Sequence, residues 1–201
     1  MSQNILEMRH IRKEFPGVVA LNDVDFSVRE GEIHALVGEN GAGKSTLMKI
    51  LSGVYPGGSY QGEIVIHDKV EVFQSIKDSE KAGVAVIYQE LALIKYMNIG
   101  ENIFLGNEIR DKSGLIDWDT TFLRAKAALD EVGISINPGV KVINLGIGTQ
   151  QLVEIAKAVA KKARILVLDE PTSALTETEI EHLMKLLLSF RERGITCIFI
   201  S

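Results

Sequence analysis

The segment Gly38-Glu39-Asn40-Gly41-Ala42-Gly43-Lys44-Ser45-Thr46 constrains this 201-residue chain more than any other. It fits G-x-x-x-x-G-K-[ST], the phosphate-binding P-loop. The apolar run Ile33 to Val37 ahead of it reads as a buried strand, and behind it Leu47, Ile50 and Leu51 recur at helical spacing. Strand, loop and helix in that order are the context the motif requires. Glycines let the backbone wrap tightly, so that N–H groups across Gly38, Asn40, Gly41, Ala42 and Gly43 turn toward phosphate oxygens. A helix starting near Lys44, with Ser45 and Thr46 in its first turn, adds the positive end of its dipole. The Lys44 ammonium has the reach for β- and γ-phosphates, and the Ser45 hydroxyl is a candidate ligand for Mg²⁺. A glycine-rich turn that binds nothing is the plainer alternative, and the flanking pattern argues against it.

A second motif is Ile165-Leu166-Val167-Leu168-Asp169-Glu170. Apolar residues bury the strand and two carboxylates stand at its C-terminal end, where ligands bind in open α/β sheets. Asp169 is placed to hold Mg²⁺ through water, and Glu170 to polarise a water attacking a γ-phosphate. Taken alone, the pair reads equally well as a solvated strand end before the turn at Pro171-Thr172. Beside a P-loop, the two motifs form parts of one phosphoryl-transfer site.

Composition sets limits. The net charge of −5 disfavours a broad nucleic-acid-binding face. Cys197 is the only cysteine and lies in the apolar run Ile195–Ile200, so it reads as a small core residue, and a reducing compartment fits. No apolar run approaches the ~18 residues of a membrane span, and Met1-Ser2-Gln3-Asn4 lacks signal-peptide character.

Along the chain, Val24, Phe26 and Val28 alternate with polar residues, as in a half-buried antiparallel strand. Glu63–His67 reads as a short strand, and Val84–Tyr88 as a central parallel one. From about Leu91 to Ala160 the pattern is mostly helical, looser around Asn107–Gly114, with a helix from Asp119 to Val132 closed by Gly133. Arg164–Leu168 and Ile195–Ile200 return to buried strands. Between them Thr176-x-x-Glu179 forms a capping box, opening a helix with Ile180, Leu183, Met184 and Leu187 on one face. An α/β core interrupted by a helical insertion results.

With these motifs in hand, the chain resembles the ATP-binding cassette of ABC transporters from about Ile5 to Ser201. Tyr88-Gln89-Glu90 stands at the Q-loop, and Leu145-Gly146-Ile147-Gly148-Thr149-Gln150-Gln151 at the signature L-S-G-G-Q. Ser173-Ala174-Leu175-Thr176 stands at the D-loop, and Phe15 at the aromatic A-loop position. The resemblance implies a P-loop NTPase (RecA-like) core with an antiparallel β subdomain and an inserted α-helical subdomain, the ABC ATPase fold. It implies one domain over 1–201, with 1–90 and 161–201 as β subdomain and core and 91–160 as the helical subdomain.

By the same resemblance, Phe15 stacks on the adenine of ATP, although it reads equally as a core aromatic. Gln89 reaches Mg²⁺ or the attacking water; its plainer reading is a surface glutamine on a bend. Gly148 precedes a helix, Thr149–Lys161, whose N-terminus faces the ATP of an opposing cassette. The family's signature serine is replaced by Gly146 and its glutamine by Thr149, which implies a weaker composite site or one whose partner site carries most of the turnover; its D-loop aspartate is replaced by Thr176, which reads instead as a helix cap. His10, His34, His67 and His182 read as surface or core residues.

Segments such as Glu101–Gly106 and Gln150–Ala158 resemble cassettes of bacterial monosaccharide importers. The Leu145-Gly146 variant and Ser59–Glu63 resemble xylose-type members. That branch implies a second cassette in tandem, integral membrane permease subunits, a periplasmic sugar-binding protein acting indirectly, no nucleic acid, and a peripheral place on the cytoplasmic face of the membrane. It also implies a switch histidine after Ile200-Ser201, without which Ile195–Ile200 is expected at an exposed edge and turnover is expected to be poor. A soluble ABC ATPase of ribosomes or DNA repair, and a nucleotide-binding fragment without turnover, are the alternatives.

Overall fold

Polar–apolar alternation in the first segment builds an antiparallel ribbon. Strands β1 (Asn4–Phe15) and β2 (Val18–Arg29) pair across the turn at Pro16-Gly17. The computed structural model describes residues 3–201. The ribbon's register slips between Met8 and Ile11, at His10, whose backbone is left-handed at φ 54°. Such slips bend a ribbon and deepen its twist. Strand β4 (Gln61–Ile66) joins the other edge of β1, and β5 (Lys69–Glu71) joins β4, giving the order β2-β1-β4-β5. Leu6, Met8, Ile11, Val28 and Ile64 turn inward and are fully buried, as the alternation requires.

The second sheet holds β3 (Ile33–Leu36), β6 (Val84–Ile87), β7 (Ile165–Asp169) and β8 (Thr196–Ile200), in the order β3-β8-β7-β6. β8 pairs parallel with both β3 and β7. Three sequence expectations change here. The Ile33–Val37 strand is only half-buried, and Val37 is 72% exposed, because β3 is the outer strand of this sheet. Val84–Ile87 is an outer strand rather than a central one. Ile195–Ile200, expected at an exposed edge, runs through the middle between β3 and β7, with Cys197 and Ile198 wholly buried. Burial raises the Cys197 thiol to about 12, so it stays protonated.

Two compact units divide the chain. One comprises the chain to Val86, Ala163–Glu170 and Leu187–Ser201; the other comprises Ile87–Lys162 and Pro171–Leu186. The first contains both sheets, α1 (Lys44–Leu51) and the short α2 (Ile76–Lys81). Its core joins Leu47, Met48, Ile50 and Leu51 of α1 to Ile165, Val167, Ile198 and Ile200 of the parallel strands.

The second unit packs α3 (Ile99–Phe104), α4 (Trp118–Glu131) and α5 (Ile147–Ala160) around Ile99, Ile103, Ala125, Leu129, Val153 and Ile155. Helix α4 is capped by the Asp117 carboxylate, which accepts from Thr120 N–H, and it closes at Gly133. Less of 91–160 is helical than the pattern suggested. Residues 91–98 are turn and extended chain, pinned by the fully buried Asn102. Its Oδ1 accepts from Ile94 N–H at 2.7 Å, and its Nδ2 donates to the carbonyls of Ile94 and Asn98. Helix α6 (Glu177–Glu192) buries Leu183, Leu186, Leu187 and Phe190. Met184, expected on that face, is 37% exposed because the buried stripe passes beside it.

Candidate functional site

The P-loop begins where β3 ends and closes where α1 starts. Gly43 occupies the N-cap of α1 with left-handed backbone (φ 93°), and a Cβ there would meet the Ala20 carbonyl oxygen at 2.7 Å and Leu21 Cδ2 at 2.8 Å. Only glycine satisfies both demands. Ala42 N–H donates to the Glu39 carbonyl at 3.1 Å, tightening the loop. Lys44 Nζ folds over the loop and donates to the carbonyls of Gly38 and, at 3.2 Å, Glu39. Ser45 is exposed and Thr46 half-buried in the first turn of α1, whose N–H groups point out of its N-terminus.

Strand register brings the carboxylates to the same end of the sheet. Ile200 of β8 is level with Leu36 of β3 on one side and with Asp169 of β7 on the other. Backbone bonds lock this edge: Ser201 N–H to Leu36 O, Gly38 N–H to Ser201 O, and Glu170 N–H to Ile200 O at 3.1 Å. One intervening strand therefore separates the mouth of the P-loop from Asp169, about 10 Å at ordinary strand spacing. Glu170 adopts left-handed backbone (φ 44°), uncommon for a side chain of this size and typical of functional turns.

Burial and the neighbouring Glu170 charge raise the Asp169 carboxyl above its usual value, while Lys44 and Lys49 pull it down. A half-buried carboxylate beside a second one is a site that a cation relieves. Magnesium typically takes one or two carboxylates together with substrate phosphates and water rather than a protein cage. The described residues hold no group of three or more acidic, histidine or cysteine side chains fit for a metal. Ser45 and Asp169 match that open mode of binding.

Phe15 ends β1 and is half-buried. Its ring meets Tyr55 edge-on, with centroids 5.6 Å apart and planes at 64°. The ring is therefore packed against a neighbouring aromatic and remains partly exposed.

Gln89 and Gly148 belong to the second unit. Gln89 follows β6 on an exposed bend. Gly148 does not precede its helix. Helix α5 starts at Ile147 with Gly146 as N-cap, so Gly148 lies inside the first turn. Gly146 offers no side-chain cap, the local cost of having glycine where serine would accept from the helix. Helix α6 presents Glu179 directly over Gly148, and the Thr176-x-x-Glu179 box forms as expected: Thr176 N–H and Oγ1 donate to Glu179 Oε2 at 2.9 and 2.8 Å. Those bonds hold the Glu179 carboxyl below its usual value.

Sequence reasoning missed several contributors. Asn98-x-x-Glu101 is a second reciprocal capping box, legible from its spacing. Gln151 is buried and donates to the Pro171 carbonyl at 2.8 Å, tying α5 to the residue after Glu170. The Lys13–Tyr55 contact with Phe15 joins segments far apart in the chain, and local periodicity carries no trace of it.

A parallel sheet with a P-loop after one strand, and paired carboxylates at the same edge beyond the next, defines a P-loop nucleotide-binding protein. Residues 21–173 match the ABC transporter family, and the chain belongs to it. It is 64% identical, over its whole length, to the Xylose import ATP-binding protein XylG of Thermoanaerobacter pseudethanolicus, covering 40% of that protein. It is 59% identical over 201 residues to the L-arabinose transport ATP-binding protein AraG of Geobacillus stearothermophilus, covering 39% of it. The chain thus spans about two fifths of the curated relatives it matches. The fold is similar to that of a solved ATP-binding cassette of an ABC transporter, crystallised in its ADP conformation, with a TM-score of 0.83 at 24% identity, covering 100% of this chain and 82% of that one. Among the described residues, no helix is long and apolar enough to cross a membrane.

Proposed function

We propose that this chain is an ATP-binding and ATP-hydrolysing cassette of a bacterial importer for a monosaccharide, a pentose of the xylose type. The observation that carries the reading is the alignment of Leu36 and Asp169 with the same residue, Ile200, which delivers loop and carboxylates to one edge. The names of the xylose and L-arabinose relatives support the sugar class.

In this reading Lys44 exchanges its loop carbonyls for β- and γ-phosphate oxygens, and the P-loop N–H groups hold the same oxygens. Ser45 and Asp169 would hold Mg²⁺, which would supply charge neutralisation on the phosphates. Glu170 orients a water at the γ-phosphate and accepts its proton, with Gln89 as a further ligand or water-positioning group. Phe15 stacks on adenine. The N-terminus of α5, with Gly148, faces the nucleotide of a second cassette. ATP stabilises the closed pair and product release reopens it, a shift set by differential affinity. The whole acts as one ABC ATPase domain, with residues 91–160 as its helical subdomain. It works with permease subunits on the cytoplasmic face of the membrane, and indirectly with a sugar-binding protein.

The test is ATP binding and phosphate release by the full-length protein and two variants. Lys44→Ala should lose ATP affinity by orders of magnitude while remaining folded, since a desolvated charge pair is broken. Glu170→Gln should bind Mg-ATP as the parent does and lose turnover. Parental turnover in Glu170→Gln would remove Glu170 from the mechanism, and parental affinity in Lys44→Ala would remove the loop.

A further inference from the structure

The edge-on pair of Phe15 and Tyr55 has a third member. Lys13, only 8% exposed, sets its ammonium 5.1 Å from the Phe15 ring centre and 4.9 Å from that of Tyr55. The same ammonium donates to the Ser59 carbonyl, at 2.5 Å. Two segments distant in sequence meet here: Lys13 and Phe15 from β1, and Tyr55 and Ser59 from the connection between α1 and β4. A buried ammonium is held only where something compensates its lost hydration. Here a carbonyl and two ring faces or edges do so, since a cation within about 6 Å of an aromatic centre is attracted by the ring quadrupole. Tyr55 is itself anchored to the P-loop helix, its N–H donating to Lys49 O at 3.0 Å.

We propose that Tyr55 and Lys13 are positioning residues for the nucleotide base: they fix the tilt of the Phe15 ring, so that its solvent-exposed part is a preformed platform for a purine. The inference rests on the reading of Phe15 as the base-stacking residue and deepens it. Phe15 closes β1 beside the turn at Pro16-Gly17, its backbone paired with Val18 of β2. The edge of Tyr55 and the ammonium restrain its ring, and a ring already ordered loses less entropy when a base stacks. Because Tyr55 N–H is bonded to Lys49 O of α1, the platform is tied to the helix that carries Lys44, so base and phosphates are measured against one rigid element.

The experiment compares two ligands in the full-length protein: ATP, and inorganic tripolyphosphate, which has the phosphates without the base. Tyr55→Leu and Lys13→Met should each weaken ATP binding about three- to tenfold, the range of an aromatic or cation–π contact. Tripolyphosphate affinity should stay unchanged, and Tyr55→Phe, which keeps the ring, should bind both ligands as the parent does. In a Phe15→Ala background, Tyr55→Leu should have no further effect, since its action passes through Phe15. Equal weakening of both ligands, or an unchanged ATP affinity, overturns the inference. If Tyr55→Leu does not fold, Lys13→Met carries the same comparison. Loss of ATP selectivity in Phe15→Ala without loss in the Tyr55 and Lys13 variants would sink this inference alone. A parent protein that binds neither ligand would sink the reading of the site.

Discussion

Glu179 leans over Gly148 so closely that a Cβ added to Gly148 would lie 2.1 Å from its Oε1 and 2.4 Å from its Cδ. The carboxylate cannot simply swing away, because Thr176 holds its other oxygen by two hydrogen bonds. The glycine at this point of α5 is therefore dictated by a neighbour on α6. Gly148→Ala should either strain the contact or break the cap, costing about 1–3 kcal/mol. Urea unfolding should show that cost, and Gly148→Ala/Glu179→Ala should destabilise by less than the sum of the single changes. Strict additivity would mean that the two side chains do not collide.

Asp169 gives a pH-dependent prediction. Its carboxyl is raised in the folded protein, first by burial and then by Glu170. The folded state thus holds this proton more tightly than the unfolded chain, so stability falls as pH rises from the unfolded value through the folded one. At neutral pH the charged Asp169 is a burden on the fold. Asp169→Asn should raise Tm near pH 7, and the gain should vanish below about pH 4, where the parent is protonated in both states. A gain independent of pH would point to a different cause.

Asn102 predicts a large loss. Replacing it by Leu leaves the Ile94 N–H and two carbonyls without their buried partner. About 2–4 kcal/mol of stability should disappear, and amide exchange at Ile94 should accelerate. A variant as stable as the parent would show that water replaces the amide.

Cys197 offers a direct probe of the central strand. Its thiol lies in β8, wholly buried and raised to about 12. A thiol-reactive dye should fail to label it near pH 8 in the native protein and label it once per chain in denaturant. Rapid native labelling would show that β8 opens locally.

Much of this could be read from local pattern. The P-loop needs strand, turn and helix in immediate succession, so its parts announced one another. The carboxylates after Leu168 and the Thr176-x-x-Glu179 box are likewise short-range signals. Strand order was not legible: apolar runs report burial, whereas the position of Ile195–Ile200 between β3 and β7 depends on pairing between distant segments. For the same reason helical spacing places Met184 on the inward face while packing leaves it 37% exposed, since spacing defines a stripe whose edges only packing decides. The left-handed turn at Glu170 was also hidden, because glutamate gives no sign of positive φ.

The embrace of Gly38 and Glu39 carbonyls by Lys44 has a consequence for selectivity. Two of the three hydrogens that an ammonium carries are already committed to neutral oxygens of the loop itself. A newcomer must therefore outbid carbonyl dipoles, and an uncharged oxygen would only trade like for like. An anionic oxygen wins the exchange, because charge-assisted bonds are roughly twice as strong as neutral ones. On the proposed reading, the loop would thus act as a comparator, yielding its lysine to a ligand with enough negative charge rather than to a neutral solute.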